Sequence, residues 1–136
     1  MNRRALPAPP RPDLERRPAG SFGWLPVELL HDRWLAELGP HAAAALVLLA
    51  LAADRRGASF FSRSRMAENL GMSRHEVDVA LQRLLDADIV AMRPWRDGSR
   101  DGVWQLLPPP PRRSATRARE TLSVAEVLRS LGFPAA

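Results

Sequence analysis

The chain of 136 residues contains no cysteine. Disulfides, thiolate metal sites and a cysteine nucleophile are therefore excluded. Lysine is absent as well, so all 20 basic residues are arginines. Arginine codons are rich in G and C and lysine codons are not, so this bias says more about coding composition than about function. No apolar run is long enough for a membrane span, which takes about 20 residues. The longest, Ala42 to Ala53, has 12 and reads as a buried core helix. Residues 1–20 are basic but lack an apolar stretch, so no secretory signal is expected, and the expected location is cytoplasmic. There is no glycine-rich phosphate loop and no H-E-x-x-H, and His31, His41 and His75 lack metal-ligand spacing. Asp86 and Asp88 read as ordinary residues at a helix end. Neither an enzyme nor a cofactor nor a bound metal is expected.

The net charge of +5 is unevenly spread. Residues 1–20 carry +3, residues 21–107 carry −1 and residues 108–136 carry +3. The high isoelectric point thus belongs to the ends and is no argument for a polyanion-binding core. In residues 1–20, Pro7, Pro9, Pro10, Pro12 and Pro18 stand among arginines. Such a mixture cannot bury enough surface to offset its ordering entropy, and it reads as a disordered basic arm. Nearly all the long apolar runs fall in residues 21–107, which read as one domain.

Within that domain, periodicity and punctuation predict four helices and a hairpin. Pro26 and the spacing of Val27, Leu30, Trp34 and Leu38 predict a helix over 25–38, ended by Gly39-Pro40. Residues 40–54 predict a second helix, apolar nearly all round and so central. Arg55, Arg56 and Gly57 are its expected stop. Residues 58–61 read as a short extended segment. Ser62 is the expected N-cap of a third helix ending at Leu70. Gly71-Met72-Ser73 is a tight turn with glycine at a positive φ. Ser73 and Glu76 form an S-x-x-E capping box opening a fourth helix over 73–87, with Val77, Ala80, Leu81, Leu84 and Leu85 along one face. Residues 89–95 and 103–107 read as strands joined by a loop with two Asp-Gly pairs, and Trp95 and Trp104 are expected to pair across them. Trp24 and Trp34 are expected in the core or at a dimer contact. Four prolines from Pro108 end the sheet. Residues 108–120 read as a Pro/Arg tether and residues 121–133 as an amphipathic helix. That helix has its own capping box (Ser123, Glu126), an apolar stripe of Val124, Val127, Leu128 and Leu131, and a stop at Gly132.

The expected fold class is mainly α with a small β-hairpin, a winged helix-turn-helix between a disordered N-terminal arm and a tethered C-terminal helix. The segment Met66-Ala-Glu-Asn-Leu-Gly-Met-Ser-Arg-His-Glu-Val77, with Ala80, Leu81 and Leu84 after it, resembles bacterial winged-helix regulators of the GntR type. Those carry L-A-x-x-L-G-V-S-R followed by V-x-x-A-L-x-x-L. It is also similar to the winged-helix domains of plasmid replication initiators, which the helix opening at Leu25-Pro26 fits equally well. The resemblance covers residues 40–107. It implies a double-stranded DNA-binding protein, either a transcription regulator or a plasmid-type replication or maintenance factor, and it implies DNA contacts for Ser73 and Arg74.

The residues themselves give the rest of the expected surface. The fourth helix, 73–87, would enter the major groove with Arg74, His75, Gln82 and Arg83 outward, and the wing, 93–104, would lie on the flank. Arg93, Arg96 and Arg100 suit phosphate or minor groove, and Arg63 and Arg65 suit phosphate at a helix start. Asp78 departs from the regulators, which usually have a basic residue there. A homodimer is compatible with this reading. The alternative is a protein-interaction module in which Glu76 and Asp78 meet a partner and Val124, Val127, Leu128 and Leu131 dock the last helix on it.

Overall fold

The computed structural model describes residues 6–17 and 20–111. The helix expected over 121–133, with Val124, Val127, Leu128 and Leu131, lies outside them, as does the tether from residue 112 onward. Of the basic arm, residues 6–17 are exposed throughout and form a single 3-10 turn, Pro12–Leu14, beside an ion pair of Arg11 and Asp13.

The described chain is helix-rich with a small antiparallel sheet. The order is α1 (Glu28–His31), α2 (Trp34–Leu38), α3 (Pro40–Ala52), β1 (Ala58–Ser59), α4 (Arg63–Leu70), α5 (Arg74–Asp86), β2 (Val90–Pro94) and β3 (Gly102–Leu106). α3 and α5 form the centre. The small side chains Ala42 and Ala45 of α3 and Ala80 of α5 are fully buried, consistent with a close approach of the two helices. Leu46, Leu49, Leu81 and Leu84 then fill the space around them, joined by Met66, Val77, Ile89 and Trp104. Each such leucine contributes about 1.5–3 kcal/mol by leaving water.

The helix expected over 25–38 is in fact two. Arg33 breaks it, adopting the left-handed conformation at φ 63°. The reason is geometric. Leu29 and Trp34 are both buried, yet five residues apart on one straight helix they would point about 140° apart. The break turns both inward together with Leu38. Val27 and Leu30, which matched the helical spacing, are left exposed.

α3 also ends earlier than expected, because Ala53 is extended. The Asp54 carboxylate then accepts from the backbone N–H groups of Arg56 (2.8 Å) and Ala58 (3.0 Å). Arg55, Arg56 and Gly57 therefore make the turn into β1 rather than the helix stop, with Gly57 at φ 80°.

The sheet has three strands in the order β1-β3-β2, so the expected extended segment adds an edge to the hairpin. β2 and β3 pair from Val90↔Leu106 to Pro94↔Gly102, and Ser59 of β1 sits opposite Trp104. Of the two Asp-Gly pairs, only the first turns the chain, with Gly98 at φ 82°. Gly102 lies in the ladder, where a Cβ would collide with the Arg93 carbonyl oxygen. The expected Trp95–Trp104 pair does not form. Trp104 faces inward opposite Met92 and is buried, whereas Trp95 is exposed and stacks on Phe60 with centroids 6.1 Å apart. One residue of register parity separates the two tryptophans onto different faces. Trp34 is in the core as expected; Trp24 is 73% exposed. Among the described residues no helix is long and apolar enough to cross a membrane.

Candidate nucleic-acid interface

The turn between α4 and α5 sets the site. Gly71 takes φ 63° and closes α4 by donating its N–H to Glu68. Ser73 then caps α5. Its hydroxyl accepts from the Glu76 N–H at 3.1 Å, and the Glu76 carboxylate accepts from the Ser73 N–H at 3.0 Å. The capping box foreseen from the spacing is complete. The same carboxylate meets His41 Nε2 at 3.1 Å, an exposed contact that ties the start of α5 to the start of α3. Its bonds from the Ser73 backbone and hydroxyl hold the Glu76 carboxyl below the ordinary glutamate range.

Arg74, one residue into α5, is exposed and donates from Nη1 to the Ser64 hydroxyl at 2.8 Å. His75 beside it is exposed. One turn on, Asp78 is the hub of the surface. Arg63 Nη1 of α4 donates to Asp78 Oδ1 at 2.8 Å, and Arg100 Nη2 of the hairpin meets Asp78 Oδ2 at 2.9 Å. Arg63 is further held by its Nε on the Arg100 carbonyl (3.0 Å) and its N–H on Asp101 Oδ1 (2.9 Å). Its guanidinium lies over the Trp104 ring, 5.4 Å from the centroid. Partial burial opposes ionisation of Asp78 and is the largest single influence. The bond from Arg63 and the charges of Arg100, Arg63 and Arg74 together outweigh it and leave the carboxyl below the ordinary aspartate range.

These bonds gather α4, α5 and the hairpin into one face carrying Ser73, Arg74, His75 and Arg100. Arg65 also stays exposed, with its guanidinium 4.6 Å over the Phe61 ring, and Arg96 is exposed on the hairpin loop.

Four of the expected residues have other engagements. Arg63 is only 12% exposed and serves as the internal brace just described. Arg83 turns away from the outer face and donates from Nη1 to the Leu38 carbonyl at 3.1 Å, satisfying the end of α2. Gln82 is exposed but donates to Asp86 Oδ1 at 2.8 Å along its own helix. Arg93 projects from the opposite side of the sheet to buried Trp104, where it lines a shallow groove of about 430 Å³ with Asp54, Arg56 and Phe60.

The spacing of residues gave no warning that Asp78 joins three elements or that Asp101, Ser64 and His41 take part. The one signal was an acid standing where an arginine-rich face was expected. Among the described residues no cluster of His, Asp or Glu is arranged to hold a metal ion. No family model matches the chain, and neither a curated protein nor a solved structure matches it.

Proposed function

We propose that this chain binds double-stranded DNA as a winged helix-turn-helix protein, acting as a transcription regulator or a plasmid-type replication or maintenance factor. In this reading α5 enters the major groove by its N-terminal turns, and the β2–β3 hairpin rests on the flanking backbone as the wing. The observation that supports it most is the bonded set Ser64–Arg74, Arg63–Asp78 and Asp78–Arg100. It joins both helices and the hairpin in one face with exposed cations at its rim. The acids able to repel phosphate are already engaged: Glu76 by the cap and His41, Asp78 by two arginines. That weakens the case for an acidic docking face for another protein.

Arg74, His75 and Arg100 are the residues to meet DNA, with Arg65 and Arg96 adding phosphate contacts. Selection of bound duplexes from a random pool supplies the site, and titration against it over a range of salt supplies the test. Replacing Arg74 and Arg96 together by alanine lowers affinity and reduces the log–log salt slope by about 2, since each phosphate contact contributes about 0.9. Unchanged affinity and slope would remove DNA as the ligand of this face. The double variant leaves the core and the bonds of Asp78 to Arg63 and Arg100 in place, so a loss of binding with an unchanged melting temperature reports on the surface itself.

A further inference from the structure

A second surface lies at the far end of α3 from the capping box. The segment before α1 crosses the C-terminal end of α3, and Gly23 presses onto it so closely that a Cβ there would lie 2.5 Å from the Ala50 carbonyl oxygen. The crossing leaves a groove of about 1240 Å³ between this segment, α3 and the proline run that follows β3. Phe22, Trp24, Leu25, Leu46, Ala50 and Pro109 are among its lining. Phe22 and Trp24 are 67% and 73% exposed, and Leu51 beside them is 69% exposed. Small-molecule pockets run to about 300–1,000 Å³ and are enclosed on most sides. An open groove larger than that, mostly apolar but with Glu28, Asp32, Asp54, Arg55 and Arg56 also in its lining, suits a length of polypeptide.

We propose that the occupant is the stretch Val124, Val127, Leu128 and Leu131 of the same chain. The attachment point carries the inference. Pro108, Pro109 and Pro111 themselves line the groove, so the chain passes residue 111 at the groove's own edge. Twelve residues, 112–123, separate that point from the apolar stretch. Twelve residues span at most about 40 Å, and a domain of this size has a radius of gyration of about 12 Å. That length is enough to reach any part of the groove, and the covalent connection supplies a high effective concentration that a separate molecule must match from solution. A stretch of this length has too few turns to hold a helix in water alone. An apolar wall is what its one-sided pattern needs, and the groove gains cover for Trp24 and Phe22.

The absence of cysteine makes the test clean. In the full chain, Arg55→Cys places a thiol on an exposed residue of the groove wall. It is combined in turn with Val124→Cys, Leu128→Cys or, as a control from the polar side of the same stretch, Arg129→Cys. Disulfide formation in a glutathione buffer is followed by non-reducing electrophoresis and mass spectrometry. The expected product is an intramolecular disulfide whose rate is independent of protein concentration and about tenfold faster for Leu128→Cys than for Arg129→Cys. A disulfide-linked dimer growing with concentration assigns the groove to a second copy and overturns the proposal. Equal rates at positions 128 and 129, or no disulfide, overturn it too. Ser21→Cys, on the segment before α1 that also lines the groove, repeats the measurement should Arg55→Cys disturb its turn.

Discussion

Arg63 and Asp78 show how much a single pair can alter the meaning of a surface. An arginine at the start of α4 and an acid on α5 would each read, alone, as a DNA contact and a DNA repellent. Joined at 2.8 Å, with Arg100 completing the set, they hold the hairpin against α5. Asp78→Asn leaves the mostly buried Arg63 without its counter-charge, and we expect a loss of about 1–2 kcal/mol, between the values for exposed and buried pairs. Urea denaturation at neutral pH measures it. The same variant is expected to bind duplex more weakly, although it removes a negative charge from the face, because the hairpin loses its brace; tighter binding would show that Asp78 acts only by repulsion. The pH dependence follows from the lowered Asp78 carboxyl. A depressed folded-state value means that the stabilisation is complete above the ordinary aspartate range and is lost as pH falls through the folded value. The difference between native protein and Asp78→Asn should therefore vanish in acid, and a difference that persisted there would exclude the charge as its origin.

At the scale of elements, local rules succeeded where the chain punctuates itself. The α5 cap needs only Ser73 and Glu76 three residues apart, and both of its bonds are present. Ser73→Ala should cost about 1 kcal/mol, read as a shift in the denaturation midpoint with an unchanged slope. The Gly71 turn and the Ser62 cap are similarly local. α1 and α2 were not legible as two helices, because the break at Arg33 comes from the need to bury Leu29 and Trp34 together rather than from a glycine or proline. The hairpin depends on a residue that looked like a turn. Since a Cβ on Gly102 would collide with the Arg93 carbonyl oxygen and with Pro94, Gly102→Ala should destabilise by several times more than Ser73→Ala. It should displace the hairpin arginines as well, detectable as lost amide protection along β2 and β3. A mild effect would mean that the strands part easily at that end.

Across the whole molecule, charge and apolar surface are divided between different regions. Residues 21–107 have a net charge of −1, and the ends supply the positive charge. On the proposed function, removing residues 1–20 should weaken binding to specific and unrelated duplexes by the same factor and lower the salt slope by up to about 3, one for each net charge removed. A change in sequence preference instead would give the arm a reading role. The sheet adds a second division. Its inner face delivers Trp104 to the core, while its outer face carries Phe60, Trp95 and Arg93 away from the α4–α5 face. Arg93 is thereby separated from Arg100, although both belong to one hairpin.

The amino-acid sequence alone determined, to within two residues at either end, the helices over 40–52, 63–70 and 74–86, the Ser62 and Ser73 caps of the last two, the turn between α4 and α5, and the apolar stripe that forms the core. Each depends on residues within a few positions of one another, and caps, glycine conformation and periodicity act over that range. Which polar side chains remain outward was decided only in three dimensions. Asp78 meets partners 15 and 22 positions away, and Arg83 meets Leu38 across 45. An ionic or capping bond forms wherever folding brings a donor to an acceptor, and spacing along the chain carries no record of that distance.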